Sequence, residues 1–419
     1  MRIAFVSAVY PPESEPTAVM THELAARWVA AGHEVEIVCP FPNRPKGEFY
    51  PGFDLAVHRK YDEGGVKVNR VITWPIGKGR KVANRLLENA SFGVTSAALL
   101  GVSCRPDVLV VESWPIFATF SALEAARTRR IPVVNYIKDI YPEAAVSAGI
   151  LKADSLATKA ARELDRWICR RAAINVVISE GMRDHLSESR RLPKTRFAIV
   201  RDWLDLGQIR PFEGAKSWRR EVGLPAEDFV CMVAGTLGLA SGVDVVVKVA
   251  DVLKGEANLQ FVCVGEGVLK QAMVEEVERL NLRNVSLLPF QPRDRVAEMQ
   301  SSADVMLLTT APNMGVSSVP NKFITYLAVG KPILCAVRDD SELAAVVREW
   351  DVGLVVEPGS PKALAEGVLR LRSLGTERLR DMGRRARELA LERYSLDVAV
   401  QSFERLFGEV TKGGTIPAD

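Results

Sequence analysis

Apolar residues in this chain come in short unbroken runs, each followed by a longer stretch in which they recur every three or four positions. The first kind of pattern reads as a strand buried on both faces and the second as a helix lying against it. In the first half, strands are predicted at 3–7, 34–40, 66–73, 107–112, 131–137, 174–179 and 197–201. Helices are predicted at 17–31, stopped by Gly32, and at about 81–101, 115–129 and 153–172. After Arg210-Pro211 the alternation restarts, with strands at 229–235, 259–265, 285–289, 304–308, 332–337 and 353–356. Helices are expected between them at about 242–254, 269–280, 293–301, 321–329, 340–349 and 361–373. Two more helices, broken near Tyr394-Ser395, fill 376–411.

Strand and helix in strict alternation predict parallel sheets covered on both sides. The fold class expected is α/β, with two doubly wound, Rossmann-like domains facing each other across a cleft. Residues 1–208 form the first and 209–395 the second, and a last helix at about 396–413 crosses back to the first. A length of 419 residues suits two domains of this size.

Composition narrows the picture by exclusion. With 55 basic and 52 acidic residues, the net charge of +3 gives no reason to expect nucleic acid as a partner. Cys39, Cys231, Cys263 and Cys335 sit inside apolar runs, no C-x-x-C spacing occurs and histidine is scarce. Neither a metal site nor a disulfide framework is expected, and a cytoplasmic location fits. The apolar start is interrupted by Pro11-Pro12, too early for a signal peptide. No stretch reaches the ~20 apolar residues of a spanning helix.

In doubly wound sheets, ligands lie beyond the carboxyl ends of the strands, so chemistry is sought there. The segment Val233–Gly242 places Gly235, Thr236, Gly238 and Ser241 between a strand and the helix expected directly after them. Glycines there let backbone N–H groups approach a phosphate; an ordinary tight connection reads the same way. Gly265 and Glu266 end another strand, either under a base or phosphate or in a plain turn. The most informative segment runs from Thr309 to Pro332, where a helix is expected to begin near Asn321 with Lys322 in its first turn. A cation there opposes the helix dipole by roughly 0.3–1 kcal/mol. A bound diphosphate would reverse that sign, since helix end and ammonium would attract the same anion; a solvated lysine is the plainer alternative. In the first half, Glu112 ends one strand and Lys138, Asp139 and Glu143 follow another. They are candidates for orienting a hydroxyl-bearing substrate, or equally a helix cap and its dipole partner. His22, alone in the first helix, is expected to pack. A basic stretch containing Lys78, Arg80, Lys81 and Arg85 leads into an amphipathic segment. It reads either as a contact with an anionic membrane surface or as a solvated loop.

Taken together, Tyr10–Glu13, Ala31–Val35, Asp139–Glu143, Ile178–Met182, Asp202-Trp203, Gly235–Gly242 and Val319–Lys322 resemble, in order and spacing, the family 4 glycosyltransferases. The likeness is to the branch making colanic acid, O-antigen and related polysaccharides, fucosaminyltransferase-like members included. It implies a GT-B fold and retaining transfer without a metal or other cofactor. It further implies a nucleotide-diphosphate sugar donor, most simply a UDP-linked N-acetylated hexosamine or deoxyhexosamine. The acceptor implied is a polyprenyl-diphosphate-linked sugar, which would keep the enzyme peripheral to the inner face of the cytoplasmic membrane. Donor contacts are implied at Gly235, Thr236, Gly238, Ser241, Gly265, Glu266, Gln291, Ser318, Val319, Pro320, Asn321, Lys322 and Thr325. Acceptor contacts are implied at Pro16, Thr17, Glu112, Lys138, Asp139 and Glu143, with Lys322, Lys138 and Asp139 nearest the chemistry. The chain departs from the wider family by carrying Thr236 and Ser241 in place of an Arg and a Lys. Ser317 and Thr325 replace its paired glutamates, Lys138 its active-site histidine, and Pro12–Ala18 lacks its double glycine. A sugar-nucleotide 2-epimerase and a non-catalytic sugar-nucleotide-binding subunit are the alternative functions.

Overall fold

The computed structural model describes residues 1–44, 48–54, 56–74, 82–102, 105–147, 149–312 and 319–413. The chain divides into two compact units, Met1–Arg201 with Ala399–Asp419, and Asp202–Val398.

The first unit is built on β1 (Arg2–Val6), α1 (Pro16–Ala30), β2 (Glu34–Pro40), β3 (His58–Glu63), β4 (Val66–Val71), α2 (Val82–Val102) and β5 (Val108–Glu112). It continues with α3 (Ile116–Thr128), β6 (Val133–Ile137), α4 (Glu143–Ser147), α5 (Leu156–Arg171), β7 (Ile174–Val177), α6 (Glu180–Arg190) and β8 (Phe197–Ile199). Its sheet has the order β3-β4-β2-β1-β5-β6-β7-β8, parallel throughout except for the antiparallel β3–β4 pair. The apolar runs predicted as strands form its centre, where every residue of β5 and β6 is buried.

Strand β3 is an addition to the predicted set. Its sequence, HRKYDE, has one apolar residue and a half-exposed pattern, so an edge strand leaves no hydrophobic run to read. The signal that was available is Gly64-Gly65, both with positive φ, a two-residue hairpin loop joining β3 to β4. Helix α6 is also an addition, whereas the short helix α4 begins at Glu143, the residue read as the dipole partner of a helix start. Ser179 starts α6 by accepting a hydrogen bond from the Met182 amide, which gives the Ser-Glu-Gly-Met segment a capping role.

The second unit contains α7 (Lys216–Glu221), β9 (Phe229–Ala234), α8 (Val245–Val252), β10 (Leu259–Val264), α9 (Lys270–Arg279), β11 (Val285–Leu288), α10 (Val296–Ser301) and β12 (Val305–Thr309). It ends with α11 (Asn321–Ala328), β13 (Ile333–Ala336), α12 (Glu342–Glu349), β14 (Gly353–Val356), α13 (Pro361–Ser373) and α14 (Gly375–Arg393). Its sheet is wholly parallel, in the order β11-β10-β9-β12-β13-β14. The order reverses between β9 and β12, the switch point at which such sheets open a crevice. Helix α8 begins at Val245, later than the sequence predicted, because a 3-10 turn at Leu239–Ser241 and Gly242 at φ 55° intervene.

The last helix, α15 (Leu396–Thr411), carries Phe403 and Phe407 onto Trp28 of α1, with ring centroids 5.7 and 5.2 Å apart. Phe403 also meets Tyr136 edge-on. These aromatic contacts, with His33 bonded to Glu404 at 3.2 Å, tie the end of the chain to the first unit.

Candidate active site

In the second unit, the ends of β9 and β12 splay apart. Their pairing stops at Met232 and Met306, leaving the backbone of Ala234 open on that side. Tyr326 of α11 fills the gap: its hydroxyl accepts from the Ala234 amide and donates to the Ala234 carbonyl, each at 2.9 Å. One helical turn earlier on the same face stands Lys322. Its Cε lies 3.8 Å from the place a Cβ would take on Gly235.

Around this point lies a cavity of about 490 Å³, lined by Gly235, Thr236, Gly238, Ser241, Pro320, Asn321 and Lys322, all singled out from the sequence. Thr309, Thr310, Val337, Arg338, Ser341 and Leu343 complete much of its wall. Lys322 is half-buried, and burial lowers its pKa. It has no carboxylate partner among the described residues. The glycine loop is tightly built beside it. A Cβ on Gly265, whose φ is 156°, would stand 1.9 Å from the Gly235 carbonyl oxygen, so only glycine lets the ends of β9 and β10 approach.

Other residues implied as donor contacts lie outside this lining. Thr325 lies outside the cavity because its hydroxyl turns back to the Lys322 carbonyl at 2.8 Å. Glu266 is held by Lys270 at 2.5 Å, Gln291 bonds to the Pro289 carbonyl, and Val319 packs on the core. None of these lines the cavity, nor does Gly265. Ser317 and Ser318 lie outside the described residues. Arg338 was missed by the sequence reading, although it stands two residues past the carboxyl end of β13. It forms a two-pronged pair with Asp340 at 2.7 and 3.0 Å.

The first unit has a smaller cavity, about 150 Å³, at the carboxyl ends of β1, β5 and β6. Its walls include Glu15, Thr17, Arg44, Glu112, Lys138 and Asp139. Glu112 is buried and accepts from Ser7 at 2.8 Å and Thr21 at 3.2 Å. Burial raises its pKa, opposed by the Lys138 charge and these hydrogen bonds. The Lys138 ammonium stands 5.5 Å from the Tyr136 ring centre. Asp139 is exposed. Pro16 is the first residue of α1 and falls outside this lining.

Glu143 is likewise outside, for a definite reason: both its oxygens accept from Arg190, each at 2.8 Å, so the carboxylate is committed to an internal ion pair. His22 packs as expected, with Nδ1 3.0 Å from the Tyr10 hydroxyl. Glu13 was not singled out. It is buried and braces the loop after β2 by accepting from the amides of Asn43 and Arg44.

Among the described residues, no group of three or more His, Cys, Asp and Glu side chains is placed to hold a metal ion. No described helix is long and apolar enough to cross a membrane. Of the basic stretch, Lys78, Arg80 and Lys81 and the Arg85 side chain lie outside the described residues.

Residues 17–203 match the Glycosyl transferase 4-like domain, and residues 215–389 match Glycosyl transferases group 1. Over 384 residues the chain is 24% identical to an Escherichia coli protein named as a colanic acid biosynthesis glycosyl transferase, WcaI, covering 88% of this chain and 91% of the relative. It is 25% identical over 343 residues to a Pseudomonas aeruginosa protein named as a glycosyltransferase, WbjE, covering 77% and 81%. The chain belongs to the family 4 glycosyltransferases. The fold of this transferase is GT-B. It superposes on sucrose-phosphate synthase from Thermosynechococcus elongatus with a TM-score of 0.75 at 14% identity, over 99% of this chain and all of the other. Anabaena HepE, solved in complex with UDP, gives 0.71 at 14% identity, over 97% and 100%. Likenesses this remote in sequence speak to the fold alone.

Proposed function

We propose that this transferase moves a sugar, with retention at the anomeric carbon, from a nucleotide-diphosphate sugar to a hydroxyl of a polyprenyl-diphosphate-linked sugar. The donor is a UDP-linked N-acetylated hexosamine or deoxyhexosamine, and it occupies the cavity of the second unit. The observation that carries the reading is Lys322: a half-buried ammonium with no carboxylate partner among the described residues, at a helix start, beside a glycine loop.

As the bond from the anomeric carbon to the diphosphate oxygen breaks, negative charge grows on the leaving group. Lys322 and the amides of Asn321 and Lys322, which no carbonyl within the helix can accept, can meet such an anion, while the Phe323 amide turns back to the Pro320 carbonyl. Preorganised donors of this kind contribute several kcal/mol without rearranging at the moment of reaction. Thr236 and Ser241 replace the family's two cations with hydroxyls, so Lys322 carries more of the neutralisation. The acceptor oxygen forms its new bond on the same face of the sugar, and its proton passes to the departing diphosphate oxygen. Lys138 and Asp139 orient that acceptor in the first unit, with Glu112 beneath them. No metal is assigned a step, and a chelator should leave turnover unchanged. The basic stretch at Lys78, Arg80, Lys81 and Arg85 would hold the enzyme at an anionic, cytoplasmic membrane face.

Incubating the purified protein with a panel of UDP-sugars and a short polyprenyl-diphosphate sugar, followed by mass spectrometry of the lipid fraction, tests the reading. A mass gain of one sugar is expected, and nuclear magnetic resonance of the product should show the donor's anomeric configuration. Donor hydrolysis or epimerisation without glycolipid, across the whole panel, would refute it.

A further inference from the structure

A second cavity of the first unit lies at the opposite end of its sheet from the Lys138 pocket. It has a volume of about 970 Å³ and opens at the amino ends of β1, β5 and β6. Five-residue strands span about 16 Å, so nothing bound there shares contacts with the pocket at their carboxyl ends. Among the described residues its lining is charged in one sense: five arginines and Lys412 against one carboxylate, Asp107. In a chain whose charges nearly cancel, that is a local concentration of positive potential, and a concave wall focuses it.

Part of this charge has a structural explanation. Arg2 pairs with Asp107 at 3.0 Å, and Arg127 pairs with Glu124 at 3.3 Å. Arg171 and Lys412 stand at the carboxyl ends of α5 and α15, where a cation offsets the helix dipole. A helix end supplies only about half a charge, so a surplus remains. Arg105, Arg130 and Lys412 are exposed and have no carboxylate partner among the described residues. Arg171 stands over Trp167, its guanidinium carbon 5.2 Å from the ring centre. The floor between them is apolar, formed by Leu123 and Ile131.

We infer that this cavity is a second anion site, which takes a phosphate- or diphosphate-bearing ligand with an apolar or planar body. The cations bind the phosphate oxygens in the forked geometry that arginine favours, and the body rests on the floor. The inference is independent of the donor site in the second unit and does not require it.

The test uses full-length protein carrying Lys322→Ala, which removes the cation of the other pocket, and inorganic pyrophosphate as probe. Calorimetry at low salt should give one site per chain, with affinity falling as salt rises, as for an exposed charge cluster. Adding Arg105→Glu, Arg130→Glu and Lys412→Glu should weaken that site at least tenfold. All three positions are exposed, so an unchanged melting temperature confirms the fold. Undiminished pyrophosphate binding in the charge-reversed protein overturns the inference. Cosedimentation with phosphatidylglycerol vesicles then identifies the source of the phosphate. Loss of vesicle binding on charge reversal assigns a lipid headgroup, and unaltered vesicle binding alongside lost pyrophosphate binding assigns a soluble ligand.

Discussion

The Tyr326 hydroxyl bridges both backbone polar groups of Ala234, 2.9 Å from each, where β9 and β12 part. This one side chain satisfies a strand end that would otherwise be buried without partners, and it fixes α11 against β9. Lys322 owes its place over Gly235 to that register. Tyr326→Phe keeps the ring and removes both bonds. It should cost about 1–3 kcal/mol in urea unfolding, the price of orphaned buried groups. Donor KM should rise as well, because the helix start loses its anchor. A variant with unchanged stability but raised KM would contradict the first half of this account.

Lys322 sets function against stability. Burial lowers its pKa, meaning that the folded chain holds the charged form at a cost. Below the lowered pKa that cost is present in full, and it fades as pH rises toward the ordinary lysine value. Lys322→Met should therefore melt higher than wild type at pH 7, with the gap narrowing in alkali. The same change should reduce transfer by about 10²–10³-fold, as loss of a preorganised donor does. For the wild type, kcat/KM for the donor should fall on the alkaline side before a solvated lysine would titrate. Melting curves across pH beside initial rates read both effects.

Much of this was legible in the residues, and the exceptions share a cause. Parallel strands such as β2 and β14 announce themselves by apolar runs, interrupted in β2 only by Glu34 and Glu36, and both were bounded as observed. Lys322 was legible because a cation in a first helical turn breaks a local rule. Tyr326 was not, since a tyrosine in an apolar helix face looks like ordinary core until the strand that it caps is seen to splay. Arg338 was hidden because its neighbours are acidic and suggest a surface loop. Glu143 misled in the opposite direction. It follows a strand where ligand-binding carboxylates sit, but its partner Arg190 lies far along the chain, and no local pattern reveals that pairing.

Glu112 offers a pH test in the first unit. Burial raises its pKa above the unfolded value, against the pull of Lys138, Ser7 and Thr21. The sign follows: its contribution to stability is present below the unfolded pKa and lost as pH rises through the folded one. Glu112→Gln removes the titration with little change in shape. Between pH 4 and 8, the melting temperature of wild type should decline relative to that of the variant. Parallel curves would show that the carboxylate is as easily ionised folded as unfolded.

The Arg190 cluster should be the most sensitive point of the first unit. Its side chain is fully buried, bonded to Asp165 at 2.6 Å, to both oxygens of Glu143, and to the Tyr141 carbonyl at 2.8 Å. Burial alone would raise the Glu143 pKa, but the hydrogen bonds and charge of Arg190 outweigh it and hold the group at about 2. Burial pushes Asp165 the other way, to about 6, although Arg190 pulls it down. Two carboxylates thus share one guanidinium, and removing it strands Asp165 and leaves Glu143 with Arg162 alone, at 3.2 Å. Arg190→Ala should cost about 3–5 kcal/mol, as broken buried ion pairs do. The double change Arg190→Met with Glu143→Gln should recover part of that loss, because no uncompensated charge then remains at Glu143. The segment from Lys138 to Glu143 hangs on this cluster, so the double variant should keep its donor KM while acceptor KM rises. An unchanged acceptor KM would mean that the Lys138–Asp139 turn holds its shape without Arg190.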